Sequence, residues 1–468
     1  MRYYNQYCSG KLLVPNPRRE TSSNAIIDLT SLCYRGHMSK VEPPVKCTYT
    51  RLETGIHHLT FLESSNPAMD QCLAHMNGIY AAHPPAERLM FLFDLRPAGL
   101  PPLRHMLRSA KQFYAQRPVL PETRAAYALL NRWEPDLFVD LHTTNGSYHG
   151  YALTWAPGLN PNSSPANDYA RDRFLPALRE RMRQRHRLET FPYGNFRSQD
   201  QDSLAQGWET YDPRVRFGTN AMGVRGLIPI LSEGYSNNPF GERIRATYFF
   251  LREILRLSAD DRAALKRVVA ASSRWRPDSI ALRSTLASPT VQAVIAEITE
   301  SDGDGSHGFS RRRRTGVFRT IRMPVFDRFL ASRKVARPAG YLIPPQHAHL
   351  AALLSAQGVR VSRLSAGWAG AVEAFRVESL TVAPFVFEGH RTVTVSGQWG
   401  VRQAAAGAGW YYVTTDQRLG VFAACLLEPA SEDGYVTWNY LDRDLEPGRD
   451  APVLRVAAAP NAPMVLVD

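Results

Sequence analysis

Two short apolar runs, each closed by a polar residue, organise the hydrophobic pattern of this chain. The first, Leu137-Phe138-Val139-Asp140-Leu141-His142, follows a Pro135-Asp136 turn and stops at Thr143-Thr144-Asn145-Gly146. A run this short, bounded by turn residues, predicts a buried parallel strand rather than a helix. The second, Leu227-Ile228-Pro229-Ile230-Leu231-Ser232-Glu233, ends on a carboxylate and runs through Gly234 to Phe240 into a helix over 242–257. Pro229 inside it predicts an edge position or a bulge, because proline gives no N–H to a ladder. A helix over 121–133 leads into the first run. Pro121 suits its first turn and Glu122 its positive end.

Elsewhere the pattern is weaker. Residues 1 to about 110 are irregular, with a candidate strand at Met90–Asp94 and a candidate helix at Leu103–Tyr114. A Pro/Asn/Ser loop over Asn160–Pro165 precedes a basic helix, Asp168–Arg187, whose charges predict a solvated outer face. Phe191–Phe217 reads as a loop long enough to be functional. Residues 259–300 read as helical and then β-rich, and Ser301–Arg314 as an exposed insertion. Beyond 320, a helix at His347–Gln357 and a strand at Val359–Val361 precede alternating stretches at Arg391–Val395, Gly409–Thr414 and Gly420–Leu427. The expected fold is α/β: a mixed sheet flanked by helices, plus a smaller, mostly β C-terminal domain. The segments are an irregular 1–115, an α/β domain over 116–258, a helical linker with a basic loop over 259–319, and an accessory domain over 320–468.

Composition narrows this picture only slightly. At 468 residues the chain is too long for one ordinary core. It has no apolar run long enough to enter and cross a bilayer. Its start, from Met1 to Cys8, has no basic segment leading into an apolar one, so no signal peptide is expected. The net charge of +13 comes almost wholly from arginine. Its densest run, Arg311–Arg314, reads as a solvated loop, and without interleaved aromatics or a known module no nucleic-acid partner is expected. None of Cys8, Cys33, Cys47, Cys72 and Cys425 forms a CxxC pair, which excludes a cysteine zinc ribbon.

Chemistry concentrates at the two strand ends. Ligands collect at the carboxyl ends of strands in open α/β sheets, and Asp140 and His142, two apart, share one strand face. A neutral imidazole there suits a metal, with a carboxylate to orient it.

With both strand ends in view, residues 118–257 resemble the M14 zinc carboxypeptidase family, in particular bacterial members with a long C-terminal extension. The matching stretches are Phe138 to Gly146, His149-Gly150-Tyr151, Asn220 to Arg225 and Leu231 to Ser236. The tail around Phe326–Phe329, Arg337–Pro344 and Leu426–Pro429 is similar to that extension. The resemblance implies hydrolysis of a C-terminal peptide or related amide bond, one zinc ion, His142 as its third ligand and Glu233 as general base. It also implies Arg225 or Asn220 as a clamp on the substrate carboxylate and Tyr211 as a closing residue. Such enzymes are commonly exported. The family's other two ligands form an HxxE pair, and no histidine upstream of His142 has a glutamate at +3. The nearest approach is His83-Pro84-Pro85-Ala86-Glu87, which makes His83 and Glu87 the candidate replacements. The alternative is an inactive or truncated pseudopeptidase that retains a peptide-binding fold. The sequence specifies no oligomeric state.

Overall fold

The computed structural model describes residues 44–53, 55–83, 91–98, 105, 121–301 and 312–467. The chain divides into two units, Met1–Phe113 and Tyr114–Asp468. In the first, β1 (Cys47–Arg51) pairs antiparallel with β2 (His57–Phe61), which pairs parallel with β3 (Phe91–Asp94). Helix α1 (Asn66–Ala82) starts at Ser65, whose side chain caps Ala68 N. Ala68, Met69, Cys72, Met76 and Ile79 recur at helical spacing and make its buried stripe. The expected helix at 103–114 lies outside the described residues apart from His105.

In the second unit, α2 (Pro121–Trp133) feeds β4 (Leu137–Thr143), followed by β5 (Leu153–Ala156). The basic helix starts earlier than expected, because Ser164 caps α3 (Pro165–Tyr169). A π-helical turn, Ala170–Phe174, joins α3 to α4 (Leu175–His186). The expected loop over 191–217 contains three short strands, β6 (Thr190–Pro192), β7 (Asn195–Phe196) and β8 (Trp208–Glu209). Next come α5 (Gly218–Val224), β9 (Ile228–Gly234), α6 (Phe240–Asp260) and α7 (Arg262–Ser273). Among the described residues β4-β9-β5-β6 form one mixed sheet, with β4 parallel and β5 antiparallel to β9. β9 is therefore internal and regular, contrary to the edge or bulge that Pro229 suggested. Ile228 N donates to Asp136 O on the β4 side, so by alternation position 229 faces the β5 side. Pairing with β5 begins only at Leu231, so the missing N–H breaks no rung. Behind this sheet Leu153, Trp155, Ile228 and Ile230 pack with Phe174, Leu178, Phe250 and Ile254 of the helices.

The remainder is β-rich: β10 (Ser279–Leu286), β11 (Thr290–Ser301), β12 (Arg312–Phe326) and β13 (Phe329–Ala336). Arg312–Arg314 lie in β12 rather than in a solvated loop. Arg314 Nε donates to the buried Glu297 at 2.8 Å, and Arg312 and Arg313 pair with Asp200 and Glu300. After β14 (Gly340–Ile343) and α8 (Ala348–Ala356), the expected strand at 359–361 is displaced to β15 (Ser362–Leu364), and Val359 and Val361 are core residues. β16 (Trp368–Val382) and β17 (Val393–Ala406) form a long hairpin, followed by β18 (Tyr411–Thr414). Gly420–Leu427 forms a helix, α9, not an alternating strand, and all eight of its residues are buried. With no polar face it carries no period to read. β19 (Asp450–Val456) and β20 (Met464–Leu466) complete a seven-stranded sheet. One core joins Met222 and Val224 of α5 to Tyr341, Leu350, Phe375 and Phe422. Among the described residues no helix is long and apolar enough to cross a membrane.

Candidate active site

The parallel register of β4 and β9 pairs Val139 with Ile230, Asp140 with Leu231, and His142 with Glu233. Partners in register share a face, and that face alternates along each strand. Val139 and Ile230 thus turn to the helices, while Asp140, His142, Leu231 and Glu233 turn to the opposite side. β5 adds Thr154 opposite Glu233 and Ala156 opposite Leu231. The strand ends are pinned together: Thr144 N donates to Gly234 O at 2.9 Å and Ser236 N to Thr144 Oγ1 at 3.0 Å.

Glu233 is 8% exposed, and its Oε2 has no hydrogen-bond partner. Burial pushes its carboxyl up to about 7; the neighbouring His142 pulls it down and Asp140 pushes it up. The His142 side chain is 52% exposed, with Nε2 2.9 Å from Asp140 Oδ1. Since a carboxylate only accepts, Nε2 carries the proton in that bond. The Asp140 carboxylate abuts the start of α5, where a Cβ on Gly218 would stand 3.1 Å from Oδ2. Glycine permits this close backbone approach. Leu231 and Ala156 pack with Tyr193, and Tyr211 lies against that cluster. The Tyr211 ring meets Tyr193 and Phe217 edge-on at 5.7 and 5.6 Å. Burial, with the charges of Asp140 and Glu233 nearby, raises its phenol well above the usual range. Beyond the strand ends, His149 is buried against Tyr235, ring centroids 4.2 Å apart, and burial pushes its imidazole down to about 3.

The structure brings His142, Glu233 and Tyr211 into one neighbourhood, but it gives Asn220 and Arg225 other work. Asn220 Nδ2 donates to Asp212 O and Arg214 O at 2.9 and 3.0 Å, and Oδ1 accepts from Leu159 N at 2.7 Å and Tyr211 Oη at 3.3 Å. With its hydrogen-bonding capacity filled by the protein, it is a structural strut behind Tyr211. Arg225, 3% exposed, caps the C-terminus of α5, at the opposite end of β9 from Glu233. Its guanidinium donates to Gln357 O at 2.8 Å and Asn131 Oδ1 at 3.0 Å, with the Tyr127 and Phe422 rings each 5.2 Å away. Burial lowers it to about 10. Neither side chain is placed to clamp a substrate carboxylate. His83 follows α1, with Nδ1 2.7 Å from Ile79 O and its ring edge-on to His57. Glu87 lies outside the described residues.

Thr154, Tyr193 and Gly218 join this face of the sheet without having been anticipated, because only strand pairing and loop closure bring them there. Among the described residues no three His, Cys, Asp or Glu side chains gather as a metal-binding group. His142 with a hydrogen-bonded Asp140 falls short of the three protein ligands that a catalytic zinc takes. The described donors therefore do not fit a zinc centre.

No family model and no solved structure matches the chain. It is similar to carboxypeptidase 2 of Trichophyton tonsurans, 25% identical over 253 residues, covering 52% of this chain and 44% of that protein. Carboxypeptidase 2 of Trichophyton rubrum is 24% identical over 253 residues, with the same coverage. A probable carboxypeptidase 2 of Arthroderma benhamiae is 35% identical over 98 residues, 21% of this chain and 19% of that protein. The chain thus spans less than half the length of the relatives matched over 253 residues. The relationship is carboxypeptidase-like.

Proposed function

We propose that this chain is a carboxypeptidase-like hydrolase that cleaves a C-terminal peptide or related amide bond, with Glu233 as general base. The observation that carries the reading is the buried Glu233 carboxyl, held at about 7, one strand from His142. A group with that pKa is poised to take a proton from the attacking water and return it to the leaving amine near neutral pH. Asp140 fixes the orientation of the imidazole, and Tyr211 walls the cleft. The M14 resemblance would add a zinc ion, which polarises a carbonyl and acidifies water. The described donors do not amount to its ligand set.

The test is release of the C-terminal residue from a blocked peptide. Glu233→Gln is expected to cut the rate by about 10²–10⁴, whereas an unaltered rate would remove Glu233 from the role. The incomplete donor set favours a second reading, a pseudopeptidase that binds peptide without turnover. Peptide binding with no cleavage, and no stoichiometric metal in the purified chain, would select it.

A further inference from the structure

We propose that Cys47 and Cys72 are a disulfide-forming pair that ties β1 to α1 when the chain meets a small disulfide oxidant such as oxidised glutathione. The two cysteines are 25 positions apart in the chain, and they lie on β1 and α1, which the fold packs together. Gln71 Oε1 of α1 accepts from Lys46 N at 2.7 Å and Cys47 N at 2.9 Å, and Gln71 Nε2 donates to Pro44 O at 3.0 Å. One turn further along α1, His75 Nε2 lies 3.3 Å from Cys47 O. Helix residues on both sides of Cys72 thus grip the backbone that carries Cys47. Both thiols are buried, each 1% exposed, Cys72 in the buried stripe of α1 and Cys47 at the start of β1, where Sγ lies 3.9 Å from Thr48 O. The neighbouring Cys47, together with burial, holds the Cys72 thiol above its ordinary value. Whichever thiol attacks the oxidant first, the other resolves the adduct.

In the first step one of the two thiols gives up its proton and attacks one sulfur of the oxidant, whose S–S bond breaks, and one glutathione thiol leaves. In the second, the other thiol gives up its proton and attacks the protein sulfur now joined to glutathione, and the second glutathione thiol leaves. Two electrons and two protons pass from the protein to the oxidant. Because both thiols are buried, the exchange proceeds through local opening of the unit or before its core closes.

The full-length chain, freed of reductant, is incubated with oxidised glutathione both in native buffer and during refolding from urea. It is then alkylated and mapped by non-reducing mass spectrometry. The expected map contains one cross-link, Cys47 to Cys72, with Cys425 remaining a thiol. The thermal midpoint of the oxidised chain is expected to rise by roughly 10 °C and to return on reduction. Cys72→Ala is expected to stop at a glutathione adduct on Cys47. Free thiols at both positions after oxidative refolding would overturn the proposal, as would links from either cysteine to Cys8, Cys33 or Cys425.

Discussion

Glu233 holds its proton more tightly in the fold than in the unfolded chain, since burial raises the carboxyl from 4.5 to about 7. Its contribution to stability is therefore fully present below about pH 4.5 and is lost as the pH rises towards 7. Above pH 7 the buried carboxylate costs up to roughly 3 kcal/mol. Glu233→Gln is thus expected to melt at a higher temperature than the parent above pH 7, with the two curves converging near pH 4.5. Equal midpoints across that range would show that this side chain is not desolvated. Arg225 gives the opposite pattern. Arg225→Met removes two hydrogen bonds and a guanidinium held between two rings, so a loss of about 2–4 kcal/mol is expected in a denaturant melt. The KM for peptide should stay unchanged. A raised KM with unchanged stability would return Arg225 to the substrate site.

At the scale of the element, β9 separates structure from chemistry by alternation. Ile230 lies in the helix-facing core and Glu233 on the opposite face. Ile230→Ala is expected to cost about 2–4 kcal/mol while leaving kcat of the folded fraction intact. A fall in kcat at full stability would mean that the two faces are not independent. The β4 and β9 runs were legible in the sequence because turn residues punctuate them and a polar group closes each one. The in-register pairing of His142 with Glu233 was not written in either run alone. Gly420–Leu427 misled for the opposite reason: a wholly buried helix has no polar face, so its residues show no period. Arg312–Arg314 misled because the acids that neutralise them, Asp200, Glu297 and Glu300, are brought close only by folding. Arg225 matched a motif by position, and only tertiary packing shows its donors to be occupied.

Across the whole molecule, the C-terminal sheet rests on one buried charge pair. Arg455 Nε donates to Glu428 Oε1 at 2.7 Å, and Tyr341 Oη donates to the same oxygen at 2.6 Å. Glu428→Ala would leave the buried guanidinium only the longer contact to Glu373 at 3.6 Å and the Trp399 ring, and a loss of about 2–4 kcal/mol is expected by chemical denaturation. Retained stability would show that water reaches the site. Fold class was legible as α/β with a β-rich tail, whereas the core that α5 shares with α9, β14 and β16 needed the fold to appear. The central claim is that two neighbouring strands deliver His142 and a proton-accepting Glu233 onto one face of the sheet. The most direct test is the pH dependence of kcat/KM for release of a C-terminal residue, measured on the parent chain and on Glu233→Gln. A rate that rises through about pH 7 in the parent, and is about 10²–10⁴ lower without that rise in the variant, is predicted. Superimposable profiles, or no cleavage by either protein at any pH, would contradict it.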